Sequence, residues 1–249
     1  MRFSFRIVLM VSLLFPQNGL EISEMIQNRK APKDISNTIS MTLINSKGKK
    51  RTNKMISKSK DRNKKQIMWF LEPKGDKGIA FLKIEIQDKD DQMKMWLPAF
   101  KKVRRISSKK KGDSFMGSDL SYEDLSNRDV KNNNFKKLFD EIIDDKGYYV
   151  LETKPKKELN SFYSKHISWV DKENMTILKE ESYDKKGELK KKKFFKYDYI
   201  NNYFIATLIT VEDIQKGHIT KVFMSDVSVD NDLPESLFHE RSLRRLPAY

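Results

Sequence analysis

The sequence predicts a mainly β (α+β) chain: a large curved antiparallel sheet with a few helices covering its concave face. Three observations lead there. Short apolar runs recur along most of the 249 residues, separated by polar turns such as 46–49 and those around Gly187 and Gly217. Strand and helix signals do not alternate regularly, which argues against a parallel α/β sheet. Hydrophobic residues make up 38% of the chain, enough for a core, and an up-and-down sheet of this size twists and curls. Its concave face then needs something apolar to close over it.

Taken in order, residues 1–19 read as a signal peptide. Arg2 and Arg6 form a basic start, residues 7–15 are apolar apart from Ser12, and Pro16 to Gly19 break the run. That core is too short to span a bilayer as a helix but suits an export signal. Residues 20–249 then form one domain. Leu20, Ile22, Met25 and Ile26 give a short amphipathic helix, stopped by Pro32 and Asp34. Strands follow at 39–44, at 50–60 with Met55 and Ile56, and at 66–72, whose near-continuous apolar run predicts a central strand covered on both faces. The strand at 79–87 places Ala80, Leu82, Ile84 and Ile86 on one face, with Lys83 and Glu85 on a partly wet one. Residues 93–100 and 101–107 continue the sheet. Residues 108–134 are polar, and a structureless connection of that length is uncommon in a compact domain and usually functional. Phe135, Leu138, Phe139, Ile142 and Ile143 stand at helical spacing and predict a short helix. Strands resume at 148–153, 167–170, 175–180, 193–198, 203–211 and 218–227, giving ten or eleven in meander order. A last short helix fits 234–238, with Pro234 early in it.

The charge balance is strongly basic, with 50 Lys+Arg against 35 Asp+Glu and a formal net charge of +15. Such a field favours anionic partners, either phospholipid head groups or nucleic acid. The runs 109–111 and 190–193, the latter followed by Phe194 and Phe195, mix basic and aromatic residues as single-strand binders do. An export signal argues against that reading, so transient contact with an anionic membrane is expected and nucleic acid is not. The chain has no cysteine, which excludes disulfides, thiolate metal sites, cysteine nucleophiles and a lipobox. His166, His218 and His239 match no metal spacing, and no G-x-S-x-G elbow, Walker loop or dinucleotide fingerprint is present. No catalytic residue, metal site or cofactor is expected, and the chain does not read as an enzyme.

The most distinctive stretch runs from Met95 to Leu125: Met95-Trp96-Leu97-Pro98-Ala99-Phe100, then Arg104-Arg105-Ile106-Ser107, Ser114-Phe115-Met116-Gly117-Ser118-Asp119 and Ser121-Tyr122-Glu123-Asp124-Leu125. With the ending Leu233-Pro234-Glu235-Ser236-Leu237-Phe238 and Arg241, Leu243 and Arg244, it resembles the LolA-like outer membrane lipoprotein-sorting protein family over residues 20 to 246. The resemblance implies a half-open antiparallel β-barrel around a helical plug or lid, with an apolar cavity between them. It further implies a periplasmic carrier, a kind of chaperone that binds lipoprotein acyl chains or lipids for sorting to the outer membrane. Its expected partners are lipidated proteins or phospholipids. The alternative is a non-transporting lipid-binding or sensor accessory of an RND-type envelope export complex. Shorter lipoprotein carriers lack the 114–125 motif. The residues expected to line the cavity are Met68, Phe70, Leu82, Met93, Met95, Trp96, Leu97, Phe100, Phe115 and Met116, since Met and Phe adapt to mobile acyl chains. Arg104 and Arg105 are expected to meet a head group or fix the lid, with Asp119, Glu123 and Asp124 as their partners, although adjacent strand residues point to opposite faces.

Overall fold

The computed structural model describes residues 18–87 and 89–247, so most of the expected signal peptide lies outside the described residues. One α-helix, α1 (Gly19–Asn28), opens the described chain. Asn18 and Glu21 form a reciprocal capping box at its start, with the Glu21 amide 2.9 Å from Asn18 Oδ1. Ile22 packs into a cluster with Leu151, Val170 and Met175. Gly19 is required there, because a Cβ would stand 2.6 Å from the Lys136 backbone nitrogen.

Thirteen strands then form one antiparallel sheet. They are β1 (Asp34–Ile44), β2 (Lys50–Lys60), β3 (Lys65–Glu72), β4 (Ala80–Ile84), β5 (Gln92–Leu97), β6 (Lys102–Ile106), β7 (Asn133–Ile143), β8 (Lys146–Pro155), β9 (Lys165–Asp171), β10 (Ile177–Tyr183), β11 (Leu189–Ile200), β12 (Tyr203–Asp213) and β13 (His218–Val229). The order across the sheet is β6-β5-β4-β3-β2-β1-β13-β12-β11-β10-β9-β8-β7. Two meanders therefore meet where β1 pairs with β13, and the sheet is curved and left unclosed between β6 and β7. Consecutive strands β6 and β7 stand at opposite edges. The chain between them must cross one face of the whole sheet, and we call that face the inner one.

The core divides by face. On the inner side Met41, Met55, Met68, Phe70, Phe81, Met93, Met95 and Ile106 form one cluster. On the outer side Ile67, Trp69, Ala80 and Leu82 pack under the C-terminal tail through Leu233, Phe238 and Leu243. Residues 67–71 are all buried, as their unbroken apolar run predicts for a strand covered on both faces.

Several expectations are corrected. The segment predicted as a helix is β7, an edge strand paired with β8 from Asn133↔Pro155 to Ile143↔Lys146, with a bulge between Lys137 and Phe139. The bulge resets the alternation, and Asp144 and Asp145 at φ 48° and 62° close a two-residue hairpin that only two strands can share. The strand predicted over 79–87 ends at Ile84, and the face carrying Lys83 is dry, with Lys83 wholly buried. The strand over 93–100 ends at Leu97, where Pro98 starts a 3-10 turn. The strand predicted from 175 begins at Ile177, since Met175 at φ 52° belongs to the preceding turn. The terminal helix is a pair of 3-10 turns, Glu235–Phe238 and Glu240–Arg244, with Pro234 as the cap of the first.

Candidate functional site

The inner face has two chemically distinct halves, and side chains opposite one another across the strands fix which residues share it. Over β1–β6 it is mainly apolar, with Lys83 and Asn53 among its buried polar exceptions. Over β9–β13 it carries His166, Ser168, Glu180, Ser182, Lys191, Lys193, Val211, Asp213 and Thr220, linked by the pairs Ser182↔His166, Glu180↔Ser168, Glu180↔Lys193, Lys191↔Asp213 and Val211↔Thr220. The segment 107–132, which joins β6 to β7, lies on both halves.

Its first part serves the apolar half. Ser114 and Ser121 form an isolated antiparallel bridge, and the Phe115 amide donates to the Leu120 carbonyl at 2.7 Å. Met116 and Gly117, at φ 51° and 79°, make the tip of this small hairpin, which is the conformation a type I′ turn needs. Phe115 is thereby driven among Phe70, Phe81 and Tyr122, with ring centroids 6.2, 5.1 and 5.8 Å away. Met116, Leu120 and Leu125 pack against the same cluster. At the far side of the hairpin, Thr220 Oγ1 donates to Asp119 Oδ2 at 2.7 Å and accepts from the Asp119 amide at 2.9 Å.

The second part serves the charged half. Asp124 accepts from Lys191 Nζ at 2.8 Å, from Tyr163 Oη at 2.9 Å and from Lys193, and its position is fixed by the Ser121 amide and hydroxyl, each at 2.8 Å. Lys193 also donates to Glu180 Oε1 at 3.2 Å. Arg128 donates with both terminal nitrogens to Glu180, one of them at 2.8 Å, which is the bidentate fork that guanidinium and carboxylate favour. Burial alone would push the Asp124 and Glu180 carboxyls up. Lys193 and Lys191 override it for Asp124, and Arg128 and Lys193 for Glu180, holding both well below the usual carboxylate range. Burial lowers Lys191, whereas Lys193, equally buried, is raised because two carboxylates face it. Burial and the neighbouring Arg128 hold His166 well below the ordinary histidine range, so it is neutral. Serine, histidine and carboxylate meet here, yet Ser182 Oγ at 2.9 Å and Glu180 Oε1 at 3.7 Å approach the same ring nitrogen, Nδ1. A nucleophilic relay needs them on opposite ring nitrogens. Among the described residues no cluster of three or more His, Asp or Glu side chains is arranged to hold a metal ion.

A cavity of about 600 Å³ opens beside this cluster, and Glu24, Glu85, Asp124, Arg128, Tyr163 and His166 are part of its lining. Polar and apolar side chains share its lining, Met93 and Ile106 among the apolar ones.

The residues expected to line one apolar cavity are divided by this arrangement. Met68, Phe70, Met93, Met95 and Phe115 are buried together on the inner face, with Leu97 and Met116 against them. Leu82 and Trp96 belong to the outer cluster, Trp96 beneath the Arg244 guanidinium at 5.2 Å. Phe100 is 70% exposed on the 3-10 turn after β5. Their strand register separates them: residues of odd and even number on β4 and β5 look to opposite sides. Arg104 and Arg105 are both exposed on β6, opposite Met95 and Lys94, and the carboxylates expected to meet them lie elsewhere: Asp119 on Thr220, Glu123 on the Phe162 amide and Asp124 on the two lysines. The run 190–193 is not a basic surface patch, since Lys191 and Lys193 point inward and are buried. The charged cluster is the feature that residue-by-residue reading missed. The in–out alternation of that run was its one available signal.

A family model described as an uncharacterized protein matches residues 62–245. No curated protein matches the chain. Among solved structures, the chain is similar to an outer membrane lipoprotein-sorting protein domain from Vibrio parahaemolyticus, with 34% identity, a TM-score of 0.86, and 91% of this chain and 98% of that one covered. It is equally similar in fold to a DUF1329 family protein from Desulfovibrio piger, at 30% identity and a TM-score of 0.86, over 90% of this chain and 97% of that one. A LolA superfamily protein from Nitrosomonas europaea shares the fold at 22% identity and a TM-score of 0.73, covering 91% and 99%.

Proposed function

Because the chain belongs to the LolA-like outer membrane lipoprotein-sorting family, we propose that it is a periplasmic carrier that shelters the acyl chains of a lipid or lipoprotein on the apolar half of its inner face. One observation carries this reading. The apolar wall formed by Met41, Met55, Met68, Phe70, Phe81, Met93 and Met95 is covered by a hairpin of irregular chain rather than by a helix or second sheet. The hairpin's own apolar side chains, Phe115, Met116, Leu120 and Tyr122, occupy the space an acyl chain would take. Exchange is energetically feasible, since each buried methylene contributes about 0.8 kcal/mol and one long chain on the order of 10 kcal/mol. The cargo's methylenes replace the plug's contacts, and release follows when a membrane or acceptor competes. Export through the 1–19 leader would place the domain in the compartment where such a cargo must cross water, and no helix among the described residues is long and apolar enough to span a membrane.

The test is to lock the plug. The chain has no cysteine, so Asp119→Cys with Thr220→Cys, whose side chains touch, offers a single engineered disulfide. The oxidised protein should lose uptake of a fluorescent fatty acid and the reduced protein should regain it. Equal uptake in both states would show that the hairpin does not gate the acyl site. Transfer of bound lipid to acceptor vesicles identifies a carrier, whereas retention would identify a sensor.

A further inference from the structure

We infer that the cargo carries an anionic head group, a phosphate or carboxylate, which takes the place of the Asp124 carboxylate on Lys191, Lys193 and Tyr163 when the plug leaves. This rests on the carrier reading above and names the lipid class: an anionic amphiphile rather than a neutral one.

The argument begins from what stays behind. Asp124 and Arg128 both belong to the crossing segment, whereas Lys191, Lys193, Glu180 and Tyr163 belong to the β-wall and the loop before β9. Withdrawal of the segment removes one anion and one cation. Glu180 then keeps Lys193, at 3.2 Å, but Lys191 and the Tyr163 hydroxyl lose the carboxylate oxygen they share. Asp213 is opposite Lys191 in the strand register but is also the partner of Lys216, at 3.4 Å. Lys191 then keeps only the neutral Tyr163 hydroxyl, to which it donates at 2.8 Å, and a buried ammonium with no anion bonded to it is strongly disfavoured. The open carrier therefore exposes a preformed set of donors, Lys191 Nζ, Lys193 Nζ and Tyr163 Oη, that converge on the space of one carboxylate.

The placement of this set relative to the acyl wall supports a single amphiphilic ligand. Ser121, which bonds Asp124, is adjacent in sequence to Tyr122, whose ring packs 5.9 Å from Phe81. The plug therefore presents Phe115 and Tyr122 to the apolar half and the Asp124 carboxylate to the two lysines, with Arg128 beside it on Glu180, and the first two stand in the order an anionic lipid would present. The cavity beside the charged cluster already reaches Asp124, Tyr163 and Arg128, and Met93 and Ile106 of the apolar cluster are also on its wall, so a head group entering there has its acyl end beside the apolar half.

The experiment compares fluorescent phosphatidylglycerol with fluorescent diacylglycerol of the same acyl chains, binding to the full-length mature protein. The phosphate lipid should bind at least about tenfold tighter, the size of a charge-assisted hydrogen bond. Asp124→Asn, which removes the internal competitor, should widen that ratio. Asp124→Asn with Lys191→Met, which leaves no orphan carboxylate, should narrow it about tenfold, with cooperative unfolding confirming the fold. Inorganic phosphate and glycerol phosphate are added as competitors. Displacement of the phosphate lipid by either one alone at low concentration would show a free-anion site and overturn the lipid assignment. Equal affinity for the two lipids in the unaltered protein overturns the head-group site while leaving the carrier reading intact. Failure of both to bind removes the carrier reading, and this inference with it.

Discussion

Lys83, Lys191 and Lys193 are buried, and each is held by an acidic partner: Glu85 for the first, Asp124 for the other two, with Glu180 also on Lys193. Lys83 also donates to the Leu125 carbonyl at 2.6 Å, so the plug is tied to the wall at Leu125 as well as at Asp124. His166, among these charges, gives a pH signature. Burial and Arg128 hold it well below the ordinary histidine range, so the unfolded chain binds a proton first as pH falls. Stability should therefore decline below about pH 6.5 by roughly 1 kcal/mol per pH unit from this group alone. Asp124 and Glu180, held below the usual carboxylate range, contribute stability that is full above their unfolded values near 4 and is lost only at more acid pH. Urea unfolding at pH 7.5 and pH 5.5 checks this. His166→Gln should flatten the difference, and an unchanged slope in that variant would assign the decline to another group. Little of this cluster was legible beforehand. Alternation in the 190–193 run says that Lys191 and Lys193 share a side, but nothing local marks Asp124, 67 residues earlier than Lys191, as their partner. A pairing across that distance is set by the topology and not by neighbouring residues.

At the scale of elements, legibility followed the strength of the period. Residues 66–72 announced a doubly covered strand because both the odd and the even positions are apolar, and both faces are indeed covered. Residues 135–143 misled because a bulged strand with apolar residues on both sides matches a helical i, i+3, i+4 pattern by coincidence. The stronger signal was the pair Asp144-Asp145 followed by Lys146-Gly147, a hairpin turn placed where a helix would need a cap. That turn is also improvable. Both aspartates adopt left-handed backbone conformations that cost an L residue about 1 kcal/mol and glycine almost nothing. Asp144→Asn with Asp145→Gly should therefore raise stability by about 1 kcal/mol, read as a higher urea midpoint at unchanged slope. A destabilised variant would mean that the acidic side chains hold the turn by contacts of their own.

The whole molecule is a single sheet with separate coverings on its two faces, and this separation makes a prediction about which residues serve function. The crossing segment lies on the inner face, while the C-terminal tail lies on the outer one. Trp69 donates to the Ser242 carbonyl at 3.2 Å, Lys60 to the Leu233 carbonyl at 2.8 Å, and the Leu233 amide to Asp34 at 3.0 Å. Leu243 is 1% exposed beneath this clamp. Leu243→Ala should cost about 3 kcal/mol, a typical figure for a large-to-small change in a core that relaxes only in part. Fatty acid uptake per folded molecule should stay unchanged, because the tail touches Ile67 and Leu82, which face away from Phe70 and Phe81. Phe115→Ala is the matched change on the other covering. It too removes a buried side chain, but it thins the plug over the acyl wall, so it should lower stability while making uptake faster. Stopped-flow binding alongside equilibrium unfolding separates the two effects. If Leu243→Ala altered uptake as much as Phe115→Ala at equal loss of stability, the plug would be governed by global loosening of the sheet, and the two faces would not be independent.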